Sequence, residues 1–134
     1  METRDGDIKK KIAELAAKTG HRTLAIWAAD CAEHVLSHFE EKYPKDDRPR
    51  KAIEAARAWA RGELSVSEAR SAALASHAAA RDAKDSAARA VARAAGHAAA
   101  TSHVAGHAVH AANYAASAVP KERSWQYRHL LSLQ

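Results

Sequence analysis

A chain of 134 residues is long enough to bury a core, and the expectation is a single domain over residues 1–134. Its formal charge of +5, with 28% charged residues, is mildly basic, but acids and bases are interspersed; that argues against the concentrated basic patch of a nucleic-acid binder. A single cysteine, Cys31, excludes an internal disulfide and a cysteine-rich zinc module, and the opening Met1–Asp7 lacks the apolar run of a secretory signal, so the expected compartment is the cytoplasm.

Apolar residues make up 47% of the chain, and alanine supplies more than half of them. A core of this kind must gain its stability from close backbone approach. Helix 1 is predicted over Asp7–Lys18, capped by Asp5 or Asp7 and stopped at Gly20. Ile8, Ile12, Leu15 and Ala16 form its apolar stripe. Helix 2 is predicted over Thr23–Lys42, with Leu24, Trp27, Ala28, Cys31, Val35 and Phe39 inward at helical spacing and Pro44 as the stop. Asp47 is the expected cap of helix 3, with Pro49 in its first turn. That helix runs to Arg61 and is closed by Gly62, with Ala52, Ala55, Ala56 and Trp59 inward. Arg50, Glu54, Arg57 and Arg61 follow at steps of four, three and four residues, an ionic stripe along one face. Ser65 and Glu68 have the spacing of a capping box and open helix 4, whose small face is Ala69, Ala72, Ala73, Ser76, Ala79 and Ala80.

Asp85 is the expected cap of a long helix 5 that ends at Pro120. Its first turns carry Arg89, Arg93 and His97 outward at four-residue steps. The second half, Ala98–Val119, holds no Lys, Arg, Asp or Glu. A helix without a charged face is usually enclosed, so this half is predicted to be the central rod, with its imidazoles turned inward. It is long enough to cross a bilayer, but alanine is weakly apolar, and three His, an Asn, two Ser and a Thr are costly in lipid; no membrane span is expected. A last short helix around Trp125, Leu130 and Leu131 is capped by Ser124. No segment alternates as a strand does. The expected fold is therefore all-α: a bundle of about six helices around a long Ala/His-rich central helix.

Four stretches carry a family resemblance: Trp27–Glu33, Asp47–Glu63, Thr101–Ala108 and Trp125–Leu130. With them the chain resembles the small prokaryotic all-helical immunity-like domains, over roughly Leu24–Leu130. The resemblance implies a helical fold and a role in which a small protein binds and neutralises a toxin. It brings no catalytic residues to carry over and implies no cofactor.

The sharpest constellation for chemistry is His103, His107 and His110. Spacings of four and three place them on one helix face, where histidines four apart can share a divalent metal. Asp30, His34 and Glu54 are candidate partners from neighbouring helices, either as ligands or as hydrogen-bond acceptors for core histidines. Cys31 with His34 is a weaker nucleophile pair, since Cys31 also belongs to the apolar stripe. Asp30 and Glu54 are a conceivable carboxylate pair, against which Arg50 and Arg57 offer ion pairing. Arg48, Arg50, Arg57 and Arg61 are the candidate partner surface. Trp27, Trp59 and Trp125 are expected to fill gaps in the alanine core. The favoured reading is a non-enzymatic binding protein. The alternatives are a metal-binding bundle, including a metal-dependent hydrolase, and a homo-oligomer formed through flat alanine faces.

Overall fold

The computed structural model describes residues 4–134, with side chains from Gly6 onward. The described residues form eight α-helices and no strand: α1 (Arg4–Ala16), α2 (His21–His34), α3 (Ser37–Glu40), α4 (Arg48–Ala60), α5 (Val66–Asp82), α6 (Ser86–Ala100), α7 (His107–Ala118) and α8 (Glu122–Ser132). The all-helical expectation holds. The two additional helices come from breaks in segments expected to be continuous.

The first break divides predicted helix 2. Val35 and Leu36 are both buried, together with Phe39. The helix tightens there: the Val35 N–H bonds the Ala32 carbonyl and the Leu36 N–H the Glu33 carbonyl, both three residues back, which ends α2 before the chain resumes as α3.

The second break corrects the central rod. Thr101 Oγ1 donates to the His97 carbonyl at 3.0 Å, and Ser102 Oγ to the Ala99 carbonyl at 2.7 Å. These hydroxyls take up carbonyls at the end of α6, an alternative to continued helix that Ser and Thr characteristically offer. His21 Nε2 lies 2.5 Å from the Thr101 carbonyl oxygen and ties the turn to α2. After Gly106 the chain starts again as α7 and packs back along α6.

The enclosed helix is accordingly α6, the first half of the stretch and not the second. It packs against α2, α3, α4, α5 and α7. Ala88, Val91, Ala92, Ala94, Ala95, Gly96, Ala98 and Ala99 are all buried on it. The side left open or half-open carries Ser86, Ala87, Arg89, Ala90, Arg93, His97 and Ala100. By contrast, α7 buries one face (Ala108, Ala111, Ala112, Ala115 and Ala116) and leaves His103 in the preceding turn and His110 exposed, with His107 half-buried. The predicted inward turn of these imidazoles does not occur. The open side of α7 carries His110, Asn113 and Ser117, polar side chains that face water without a Lys, Arg, Asp or Glu among them.

Around the alanine helices the larger fillers are Trp27, Phe39, Ile12, Ile53, Leu130 and Val91, each almost wholly buried. Every member of the α2 stripe read from the sequence is buried. Trp59 and Trp125, expected beside them, are only half-buried. The capping box at Ser65–Glu68 and the Asp85 cap, which accepts from the Ala88 N–H at 2.9 Å, are both present. Gly62 closes α4 with a φ of +77°, a conformation that favours glycine. Four predicted caps differ, among them Ser124, which lies inside α8 after an N-cap at Lys121. The Asp47 side chain makes no cap bond; Asp46 Oδ1 instead accepts from the Arg48 N–H at 3.1 Å. Gly20 stands in extended backbone as the N-cap of α2, not as a left-handed stop for α1. Asp7 lies inside α1, and the Asp5 side chain lies outside the described residues.

Candidate functional site

Two groups of chemistry-bearing side chains are present, one at each end of the Asp30–His110 set that the sequence suggested. The first is a cleft of about 400 Å³ lined by Asp30, Glu33, His34, Arg57, Trp125 and His129. It is built where α2, α4 and α8 meet. The indole of the buried Trp27 donates to the Gln126 carbonyl at 2.9 Å, and Gln126 Nε2 donates to the Ala112 carbonyl at 2.9 Å. These bonds tie α8 to α2 and α7, so Trp125 and His129 project from a fixed helix.

Asp30 is the hub. Its Oδ1 accepts from Arg57 Nη2 at 2.7 Å, and its Oδ2 lies 2.7 Å from His129 Nε2. Arg57 also pairs with Glu33. Burial works against the Arg57 charge, but its bonds to Asp30 and Glu33 outweigh that and push its pKa up. On the far side, His34 Nδ1 lies 2.5 Å from Glu122 Oε2. Trp125 stacks on both histidines: ring centres are 3.8 Å apart with a 3° tilt for His34, and 4.8 Å with 14° for His129. Each imidazole is thus fixed by a carboxylate and by an indole face.

Cys31, beside the cleft on α2, is wholly buried. Burial first, then the Asp30 and Glu122 charges, push its thiol well above the usual range. A thiol held protonated is a poor nucleophile, and the Cys31–His34 pair loses its chemical basis.

The second group lies on the opposite side of α6. His77 (α5), His97 (α6), His107 and His110 (α7) form one cluster, with Tyr114 stacked on His97 at 5.3 Å. His97 Nδ1 and His107 Nδ1 are 2.9 Å apart, and the ring centres of His77 and His97 are 5.0 Å apart, edge to face. Glycine at position 96 makes this possible, because a Cβ there would come within 2.6 Å of the His77 ring. His103, in the turn, lines the same small cleft as Arg70, His77 and His107, about 210 Å³. Burial, followed by the neighbouring imidazoles and Arg93, lowers the pKa of His97 to about 4. Burial and Arg93, Arg81 and His107 lower that of His77, while burial with His110 and His103 lowers that of His107.

The sequence-derived set is therefore divided. His107 and His110 join the second group, and His103 lies at its rim. Asp30 and His34 belong to the first. Glu54 is exposed on α4 and joins neither. The arginines expected as a partner surface are each matched to acids: Arg48 to Asp46 and Asp82, Arg50 to Glu40, Arg57 to Asp30 and Glu33, and Arg61 to Glu63. Apart from the Arg61 pair, these partners come from other helices or from the connection before α4, not from along α4 as the ionic stripe predicted.

Sequence reading missed Glu122, and it did not bring Trp125, His129 or His97 to the sites they share. His129 and Asp30 are 99 residues apart, and no local spacing signals such a meeting. A signal for His97 did exist: Thr101-Ser102 followed by Gly106 marks a turn, and a turn there folds His97 back onto α7.

The fold and the cleft define a small all-helical domain with an aromatic, carboxylate-rich recess, and no helix among the described residues is long and apolar enough to cross a membrane. The family model described as "Imm-5 like putative immunity protein" matches residues 14–132, nearly the whole chain, and the chain belongs to that family. No curated protein and no solved structure matches it.

Proposed function

We propose that this is a non-enzymatic immunity protein of the cytoplasm that neutralises a toxin by binding it, and that the Asp30–Arg57–Trp125–His129 cleft is where the toxin docks. The family membership supports the general role. The observation that carries the choice of surface is Trp125, a half-buried indole held between two imidazoles at the edge of an open cleft. Aromatic anchors in a rigid, partly dry setting are the usual centre of a protein–protein interface. Three of the four stretches that carry the family resemblance contribute to this cleft: Asp30 and Glu33, Arg57, and Trp125 with His129.

Its charge is opposite to that of the chain. The lining acids Asp30 and Glu33 stand against the single guanidinium of Arg57, on a protein of net charge +5. A partner presenting Lys or Arg is matched here, and such complementarity raises association rates and rejects wrong partners.

The test is protection of cells that co-express the toxin encoded beside this gene, with the complex followed by co-purification. Wild type is expected to protect, whereas Trp125→Ala with Glu33→Lys is expected to lose both protection and binding while remaining helical by circular dichroism. Full protection by that variant would move the docking surface elsewhere. Absence of binding by wild type to any neighbour-encoded product would overturn the reading as a whole.

A further inference from the structure

Along α5, α6, the turn after it and α7, the chain carries bases without acids. No Asp or Glu lies in residues 69–81 or 86–121, whereas Arg70, Arg81, Arg89, Arg93 and five of the nine histidines do. The acids at the margins are engaged: Glu68 in the capping box, Asp82 with Arg48, and Asp85 with the start of α6 and with Lys42. Arg70, Arg81 and Arg93 have neither an acid partner nor a hydrogen bond among the described residues, and Arg89 donates to the Ala83 carbonyl. The arginines of α4 are the opposite case, since Arg48, Arg50 and Arg57 are each paired with acids.

The fold gathers these bases onto one face. Arg70, Leu74, His77 and Arg81 follow at steps of four, three and four residues, a single stripe of α5 roughly 17 Å long. Arg89, Arg93 and His97 form the neighbouring stripe of α6. His97 joins the helices, with His77 of α5 on one side and His107 and Tyr114 of α7 on the other. Arg70, Leu74, His77, His103 and His107 line one cleft, and Arg81 and Arg93 both lie close enough to the His77 ring to oppose its protonation. Leu74, 68% exposed, projects from the stripe between Arg70 and Arg81, and Val104 in the turn is 47% exposed.

We propose that the α5–α6–α7 face docks an acidic segment of another protein, with Leu74 as the apolar anchor and Arg70, Arg81 and Arg93 as the partners of its Asp and Glu side chains. The charge of the face selects the sign of the ligand. Guanidinium groups without acids of their own keep their donor forks free for incoming carboxylates. Leu74 selects between the anionic macromolecules. A phosphate backbone has nothing to set against a projecting leucine, whereas the centre of a protein interface is depleted of charge other than arginine and buries apolar side chains. A helix with Leu and Glu on one side meets both demands at once. No three His, Cys, Asp or Glu side chains among the described residues are placed to hold a metal ion, so the imidazoles serve this face as hydrogen-bonding groups. The face shares no residue with the Asp30 cleft and carries the opposite sign. Its partner chemistry is therefore different, and the inference stands whether or not a toxin docks at the cleft.

The experiment is fluorescence anisotropy of a labelled peptide of about 14 residues, long enough to cover the α5 stripe as a helix, with Glu and Leu on one side. Wild type is expected to bind it at low salt and to bind the same peptide with Gln for Glu far more weakly. Arg70→Glu with Arg81→Glu is expected to weaken binding by about tenfold or more, and Leu74→Ser by about threefold or more. Lys10→Glu with Lys11→Glu makes the same change of net charge on α1 and is expected to bind nearly as wild type does. All five positions are exposed, so the variants are expected to stay folded, which circular dichroism checks. Three results would overturn the inference: no binding of the Glu/Leu peptide by wild type, equal losses from the α5 and α1 charge reversals, or tighter binding of a DNA duplex than of the peptide, abolished by the α5 reversal.

Discussion

The cleft between α2 and α8 and the cluster between α5, α6 and α7 use the same side chain in opposite surroundings. In the cleft, His34 and His129 each meet a carboxylate, at 2.5 and 2.7 Å, and stack on one indole. In the cluster, His97 has around it other imidazoles, Tyr114 and the charge of Arg93. The difference teaches that an imidazole takes its chemistry from its neighbours. A carboxylate fixes the ring and its proton, as suits a rigid recognition surface. Imidazoles gathered by burial beside positive charge have their pKa lowered, as in His77, His97 and His107.

The largest perturbation should separate the two regions outright. Trp27→Ala removes a wholly buried indole and the bond that holds α8 at Gln126, and is expected to cost about 3–5 kcal/mol. In whatever fraction remains folded, hydrogen exchange should rise in α8 while the α6–α7 hairpin stays protected. Equal loosening of both would mean that the regions are one unit.

Next is Gly96→Ala, which strikes only the cluster. The new Cβ meets the His77 ring, and overpacking of this kind costs about 1–3 kcal/mol, partly offset by the helix preference for alanine, about 1 kcal/mol. His77→Ala in the same chain should restore most of the loss. A denaturant double-mutant cycle without coupling would show that the two positions do not touch.

Asp30→Ala strikes only the cleft. It leaves Arg57 and His129 without their shared acceptor, at a cost of about 1–3 kcal/mol, with Trp125 fluorescence reporting the freed His129. A change below measurement error would show that water replaces Asp30 freely.

The smallest effect at neutral pH, and the most specific, is acid sensitivity. An unfolded histidine takes up its proton near the ordinary value of 6.5, and folded His97 only near 4. Between these values the unfolded state binds more protons, so stability is full above about pH 6.5 and falls as pH drops toward 4. His77 and His107 shift in the same direction. The charged or titratable neighbours that oppose protonation are Arg81 on α5, Arg93 on α6, His110 on α7 and His103 in the turn. Thermal melts of wild type should lose Tm across this window, and His97→Gln should flatten the loss. An unchanged slope in that variant would assign the acid sensitivity elsewhere.

Much of the fold was legible because its signals are local. The stripe from Leu24 to Phe39, the Ser65–Glu68 box and the left-handed Gly62 each depend on residues within a few positions. The central helix was misplaced for a physical reason. Absence of Lys, Arg, Asp and Glu in Ala98–Val119 does not mean burial there, because His110, Asn113 and Ser117 supply a polar side to α7. The charged residues of α6, in turn, occupy one narrow strip and leave the rest of that helix enclosed. The helix end at Thr101 was legible in principle, since two hydroxyls and a glycine stood there, but a nearly continuous run of alanine masked it.

The chain alone determined that it would be helical, where α4, α5 and α6 begin, and which faces of α2, α4 and α5 turn inward, because helix periodicity and capping act over one or two turns. Only tertiary packing decided which histidine would have an acid and which would have another histidine. That choice depends on contacts between residues as far apart as Asp30 and His129, and on a turn that sets His97 against His107. Burial and nearby charge, which set the chemistry of both sites, exist only once the helices have assembled.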